Sequence, residues 1–150
     1  RRLYKDDFTQ TTVTGTTALS ILKSLKIDGG TFKASTQFLA DFIITKDTGA
    51  TPTIGLYLNT TNSLSGATLL GTYLMTTAGR YFNFQRNLII KGGNIITYSG
   101  IGSAITNVGL AFNTNISTAL NVANDSYLIL STTNTDIVVT TGCETATIKE

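Results

Sequence analysis

The sequence lacks several residue types on which enzyme catalysis often depends. Its 150 residues contain no His, no Trp and one Cys. Without His, a Ser or Thr nucleophile has no common general base, and a Lys base would need a buried lysine that the hydrophobic pattern does not predict. Cys143 also lacks a His to lower its pKa, so we interpret it as a small packing residue. We therefore expect no catalytic residues and no enzymatic activity.

Charge is also scarce, and long hydrophobic runs are missing. Charged residues make up 13% of the chain and the net charge is +2, whereas an ordinary globular protein has roughly 25% charged residues. The basic residues are scattered, but a nucleic-acid-binding protein needs a concentrated basic face. The apolar runs are far shorter than the about twenty residues that a membrane-spanning helix requires. We expect neither nucleic-acid binding nor membrane insertion.

The carboxylates do not form an obvious catalytic or metal-binding group. Most of them lie in predicted turns, at predicted strand ends or in the N-terminal segment, whereas a glycosidase needs two carboxylates facing each other across a sugar. Asp41 lies within a predicted strand, on the face that we expect to be wet. The two candidate calcium loops, residues 47–49 and 124–126, offer too few of the six to eight oxygen ligands that Ca²⁺ takes. We expect no metal site and no cofactor.

Thr and Asn are abundant instead, and they favour short strands joined by tight turns. In residues 53–59, Ile54, Leu56 and Leu58 alternate with Gly55 and Tyr57, which is the period of a half-buried strand. Residues 38–44 alternate in the same way and end at a turn, so we expect these two segments to be paired as a hairpin or as near neighbours.

Similar patterns predict further strands along the chain. The segment 19–27 is interrupted by Lys23, which indicates a β-bulge or an edge strand. Only residues 117–123 have some helical character. The other predicted strands are 67–76, 81–91, 95–99, 108–113, 127–132, 137–140 and 145–149. Short strands without intervening helices indicate an all-β fold, an antiparallel two-sheet β-sandwich of jelly-roll type with about 8–10 strands.

The patterns also predict the domain organisation, the core and the exposed residues. We expect one sandwich domain over residues 14–150, preceded by an N-terminal arm or lead-in strand over residues 1–13. The predicted core consists of Ile21, Phe38, Phe42, Ile54, Leu56, Leu58, Phe84, Ile90, Leu110 and Phe112. The candidate surface-contact residues are Tyr57, Asn59, Asn62 and Tyr73, because exposed tyrosines often pack against sugars or partner chains.

Three stretches carry a resemblance to a known group of domains. They are TGTTALSILKSLKI (residues 14–27), LYLNTTNSLSGATLLGT (56–72) and FQRNLIIKGGNIITY (84–98). They resemble β-sandwich domains of tailed-bacteriophage virion appendages, such as tail fibres and head fibres, particularly of phages that infect Bacteroidota. In those domains a strand ending in Asn-Thr leads through Ser-Leu-Ser-Gly-Ala into a strand ending in Leu-Gly-Thr. The resemblance covers most of residues 14–150.

The resemblance implies a virion structural protein on the external surface of a phage particle, as part of a tail fibre, head fibre or spike. It implies a homotrimer that contacts other virion proteins and a host cell-surface glycan or protein. The low charge, with Leu39, Ile43 and Tyr57 opposite the predicted core, also favours an oligomer. Because the chain does not begin with Met, we interpret it as a fragment or a processed product. The alternative is a carbohydrate-binding module of a secreted enzyme, although the lack of Trp weighs against it.

Overall fold

The computed structural model describes residues 3–98 and 117–150, which form two antiparallel β-sheets. Its strands are β1 (Leu3–Asp7), β2 (Thr11–Val13), β3 (Ser20–Ile27), β4 (Gln37–Lys46), β5 (Thr53–Asn59), β6 (Thr68–Leu74), β7 (Tyr81–Lys91), β8 (Asn94–Tyr98), β9 (Ser117–Ala119), β10 (Ser126–Thr133) and β11 (Thr141–Lys149). Sheet A has the order β1-β11-β4-β7-β8-β9, with β2 also paired to β11, and sheet B has the order β3-β10-β5-β6. The predicted all-β sandwich is confirmed, and no helix in the described ranges could span a membrane.

The core lies between the two sheets and is built from the alternating faces of the long strands. On β4, Phe38, Phe42 and Ile44 are almost fully buried, and they face the buried Ile54 and Leu56 of sheet B across the sandwich. Burying such side chains is the main favourable term in folding. The predicted core residues Phe38, Phe42, Ile54, Leu56, Leu58, Phe84 and Ile90 are confirmed, and the predicted Leu110 and Phe112 lie outside the described residues.

The prediction of Ile21 as a core residue was wrong. Ile21 is 37% exposed, whereas Leu22 and Leu25 are buried. The register between β3 and β10 shifts so that Leu130 pairs with Lys23 and Ser131 pairs with Ile21. This β-bulge at Leu22 reverses which residues face inward. The bulge expected near Lys23 is confirmed, and β3 is an edge strand of sheet B, as was also expected.

The predicted pairing of residues 38–44 with residues 53–59, as a hairpin or as near neighbours, was also wrong. Strand β4 pairs with β7 and β11 in sheet A, and β5 pairs with β6 and β10 in sheet B. The segment between them therefore crosses from one sheet to the other. Each of these two strands has one apolar face. Because the strands lie in opposite sheets, their apolar faces pack against each other in the core. Alternation predicts the buried face but does not indicate the sheet.

Two smaller segments differ from the expected secondary structure. Residues 117–123 begin as strand β9 and continue into a turn, so the helical tendency there is not realised. Residues 137–140 are not a strand, because a turn in which the Val139 amide donates to the Asp136 carbonyl precedes β11. The turn at Gly92 and Gly93 follows the sequence pattern: both glycines have positive φ and join β7 to β8 as a two-residue hairpin loop.

The N-terminal segment closes one side of the sandwich. Strands β1 and β2 pair with β11 of sheet A, while the loop between them contacts the edge of sheet B. The Lys23 side chain on β3 is buried, lies 2.9 Å from the Asp7 carboxylate and donates to the Thr9 carbonyl. The Thr11 hydroxyl donates to the Leu22 carbonyl. These contacts join the two sheets along the β3 edge.

The sequence pattern predicted no buried lysine and placed Asp41 on the wet face. Both predictions were wrong. Lys46 is buried, and its ammonium donates to the carbonyls of Asp47, Thr77 and Gly79 at 3.1–3.3 Å. Asp41, expected to be wet, has a side chain only 14% exposed and lies 2.9 Å from the Lys149 ammonium. For Lys46 the three carbonyls replace water, which is what makes burial of a charge tolerable. For Asp41 only Oδ2 is paired with Lys149, and its buried Oδ1 has no hydrogen-bond partner among the described residues.

Candidate functional site

A cleft of about 230 Å³ opens at the end of the sandwich where β5 ends and β6 begins. Strands of sheet B form one wall, and β9 of sheet A with the segment that follows it forms the other. The cleft is therefore bordered by both sheets. The described residues that line it are Leu58, Asn59, Thr60, Gly66, Thr68, Thr118, Ala119, Leu120, Asn121, Asn124, Asp125 and Ser126.

The first wall includes the loop over residues 59–66, and its geometry is held by Asn59. The Asn59 amide donates to the carbonyls of Ser63 and Ser65 at 2.7 and 3.1 Å, and its Oδ1 accepts the Thr60 amide at 2.8 Å. Gly66 then adopts a φ of 73°, a region that glycine occupies readily. The expected loop between two sandwich strands is confirmed, and its own hydrogen bonds order it.

The second wall is a turn between β9 and β10. Asn121 Oδ1 accepts the Ala123 amide at 3.0 Å, and the Asn121 carbonyl accepts the Asn124 amide at 3.1 Å. The Asn121 Nδ2 group has no hydrogen-bond partner among the residues that the structure describes. An amide of this kind offers two donor hydrogens to a ligand.

Asp125 at the rim of the cleft is held in its charged form. Its carboxylate lies 2.7 Å from the Lys26 ammonium and accepts the Gly29 amide at 2.9 Å. The hydrogen bond from Lys26, followed by that from Gly29, lowers the pKa of Asp125, and the two carboxylates Asp125 and Asp28 raise the pKa of Lys26. A carboxyl group with a lowered pKa stays ionised at neutral pH, so Asp125 is not suited to act as a general acid.

Glycine is required beside this ion pair. A Cβ atom on Gly29 would lie 2.2 Å from the Ala123 carbonyl oxygen, far inside van der Waals contact. The close approach lets the Gly29 amide reach Asp125, and it brings the turn after β3 against the second wall of the cleft. The Asp28-Gly29-Gly30 turn therefore contacts the β9–β10 turn and holds the Asp125 carboxylate in place.

The structure does not bring the four predicted surface residues together. Asn59 lines the cleft, whereas Asn62 lies exposed in the same loop, outside the lining. Tyr57 is half-buried on the outer face of sheet B, where its ring lies against Gly55. Tyr73 pairs with Ile54, packs against the core, and has its pKa raised by burial. The two tyrosines therefore do not form a common aromatic platform.

Reactive groups elsewhere in the described part are protected. The Cys143 side chain is fully buried, its thiol donates to the Thr145 carbonyl at 3.3 Å, and burial raises its pKa to about 12. Within residues 3–98 and 117–150, no group of three or more His, Cys, Asp or Glu is placed to hold a metal ion. We take the cleft beside the loop over residues 59–66 as the candidate site because hydrogen bonds order both of its walls.

Comparison with known proteins adds one distant structural likeness. No protein-family model matches the chain, and no curated protein matches it significantly. Among solved structures, the CBM2 module of the evolved Dit protein of Lactobacillus casei BL23 phage J-1 aligns with a TM-score of 0.41 and 9% sequence identity. The alignment covers 83% of this chain and 66% of that module.

Proposed function

We propose that this chain is a binding and structural domain of an external appendage of a tailed bacteriophage, a tail fibre, head fibre or spike, and that it has no enzymatic activity. The observation that carries the binding role is the state of Asp125. This ionisable residue of the cleft is fixed as an ion by Lys26 and Gly29, and the neighbouring lining residues are amides, hydroxyls and aliphatic groups. Such a site suits recognition of a ligand rather than proton transfer.

The virion assignment is supported by the sequence resemblance in residues 14–27, 56–72 and 84–98. More specifically, we propose an appendage of the kind found in phages of Bacteroidota, exposed on the outside of the particle. The ordered loop over residues 59–66 lies within the resembling stretch and borders the cleft. In this proposal the domain decorates the particle and contacts the host envelope through that end.

We also propose that the domain assembles as a homotrimer. Several large apolar side chains of the described ranges are exposed to solvent, among them Phe8 at 67%, Leu74 at 63% and Val138 at 76%. Apolar side chains on a surface with few charges favour association, and a closed symmetric oligomer can cover them. Leu39 and Ile43, on the outer face of sheet A, are half-buried within the single chain.

The second candidate function is that of a carbohydrate-binding module of a secreted enzyme. The same cleft supports this candidate. The sandwich fold does not separate the two candidates, because a fold does not by itself determine function. The two proposals differ in where the chain is found. We expect mass spectrometry of purified phage particles to detect its peptides at a ratio of at least several copies per particle. Peptides confined to the culture supernatant, in a longer chain with a hydrolase domain, would support the second candidate instead.

A further inference from the structure

We infer that the cleft between the loop over residues 59–66 and the β9–β10 turn binds a single neutral saccharide ring. This inference rests on the proposed function, because it names the ligand class of the same site. The cleft measures about 230 Å³, below the roughly 300–1,000 Å³ of pockets for drug-sized ligands. Its size suits one sugar ring rather than an extended chain.

The charges around the cleft favour a neutral ligand. The carboxylates of Asp28 and Asp125 lie 2.8 and 2.7 Å from the Lys26 ammonium, so the acidic groups of this cluster outnumber its basic group. An anionic ligand would be repelled by the remaining negative charge. A cation would have to displace Lys26, which already lies between both carboxylates.

The free hydrogen-bonding groups match hydroxyls. A sugar hydroxyl both donates and accepts, and so do the side chains of Thr60, Thr68 and Thr118 that line the cleft. The Nδ2 group of Asn121 adds a donor. Within the described residues, the hydrogen bond of this side chain is made by its Oδ1, which accepts the Ala123 amide. A site of this kind presents donors and acceptors together, which a purely apolar or a purely anionic ligand would leave unpaired.

The apolar and ordered parts of the cleft complete the fit. The half-buried Leu120 contributes most of the aliphatic surface against which the C–H face of a sugar ring can pack, and Leu58, which is 7% exposed, adds a small area. The loop wall is already ordered by Asn59, so binding loses little conformational entropy there. Without an aromatic platform among the described lining residues, we expect weak binding of a monosaccharide, with a Kd of about 1 mM.

The test is a titration of the isotope-labelled protein, followed by NMR. The probes are the methyl glycosides of glucose, galactose, mannose, fucose, rhamnose and N-acetylglucosamine, with N-acetylneuraminic acid as the anionic comparison. We expect at least one neutral glycoside to shift the backbone amides of Thr68, Thr118 and Asn121 in a saturable manner. If none of them shifts these amides at about 50 mM, or if the anionic sugar binds more tightly, the inference is wrong.

Matched variants identify the groups responsible. Asn121→Asp keeps the acceptor for the Ala123 amide and removes the Nδ2 donor, and Thr118→Val removes a hydroxyl at nearly constant volume. Each should weaken binding by about tenfold. Asn62→Ala removes an exposed amide outside the lining and should leave the affinity within about twofold. Equal affinities in all three variants would contradict this site. Detection of the chain in phage particles does not depend on the titration, so the two proposals fail separately.

Discussion

The Lys23 ammonium on β3 lies 2.9 Å from the Asp7 carboxylate at the end of β1. The two residues belong to different sheets, and Lys23 is 3% exposed. This ion pair, with the bond from Lys23 to the Thr9 carbonyl, closes the β3 side of the sandwich. The cleft lies away from this ion pair, at the end of the sandwich where β5 ends and β6 begins.

Removing the Asp7 charge should therefore destabilise the domain. Asp7→Asn leaves a buried ammonium with fewer partners, and we expect the free energy of unfolding to fall by about 1–3 kcal/mol in urea denaturation. The pKa of Asp7 is lowered from 3.8 by the Lys23 hydrogen bond, so this contribution is present above that value and disappears as the pH falls through the lowered pKa. The exposed Asp6→Asn is the control, and equal losses for both variants would contradict the prediction.

Truncation of core side chains should be more costly. Phe42 and Leu56 are fully buried on the facing sheets, and replacing either with Ala should lower the free energy of unfolding by about 2–5 kcal/mol. Asn62→Ala, at an exposed polar side chain, should change it by about 0.5 kcal/mol or less. Losses below that size at both core positions would mean that the buried faces are assigned wrongly.

The buried Lys46 should make stability depend on pH in the alkaline range. Burial lowers its pKa below the ordinary 10.5, so the unfolded chain binds the proton more tightly. Stability should therefore rise as the pH increases from the lowered pKa toward 10.5. The measurement is urea denaturation at several alkaline pH values for the natural sequence and for Lys46→Met. The free energy of unfolding of the natural sequence, relative to that of Lys46→Met, should increase over this pH range. A difference that stays constant would contradict the prediction.

Cys143 should be unreactive in the folded protein. Because the thiol is fully buried and its pKa is raised to about 12, we expect a thiol reagent to modify it at least about 100-fold more slowly than in urea-unfolded protein. The melting temperature should also be unchanged by dithiothreitol or EDTA. A drop in dithiothreitol would indicate a disulfide between chains, and a drop in EDTA would indicate a structural metal.

The proposed trimer is tested by light scattering of the purified chain. We expect a mass three times the 16.0 kDa of one chain. Val138→Asp places a charge on a side chain that is 76% exposed and should shift the protein toward smaller species, whereas Asn62→Asp, at an exposed loop position, should not. A monomer at all concentrations would exclude the trimer for this chain.

Much of the fold could be predicted from the sequence because strand alternation reports burial directly. Ile54, Leu56 and Leu58 have the period of two that β5 shows, and the Gly92-Gly93 pair occurs at the expected hairpin. The sheet to which each strand belongs could not be predicted, because β4 and β5 carry equivalent apolar faces. The bulge at Leu22 likewise depends on the pairing with β10.

The site was only partly predictable because its two walls are distant in sequence. Asn59 was among the predicted surface-contact residues, but Asn121 contributes only because β10 pairs with β5, which places Tyr127 opposite Asn59. The buried lysines were missed for the same reason. The carbonyls that hold Lys46 belong to Asp47 and to two residues more than thirty positions away, Thr77 and Gly79.

The most direct test of the central claim is immunogold electron microscopy of intact phage particles, with antibodies raised against this folded domain. We expect gold label on the outside of the particle, at a fibre or spike of the head or tail, and its loss when the antibody is preabsorbed with the domain. Unlabelled intact particles, with the same antibody binding a secreted enzyme, would contradict the proposed function.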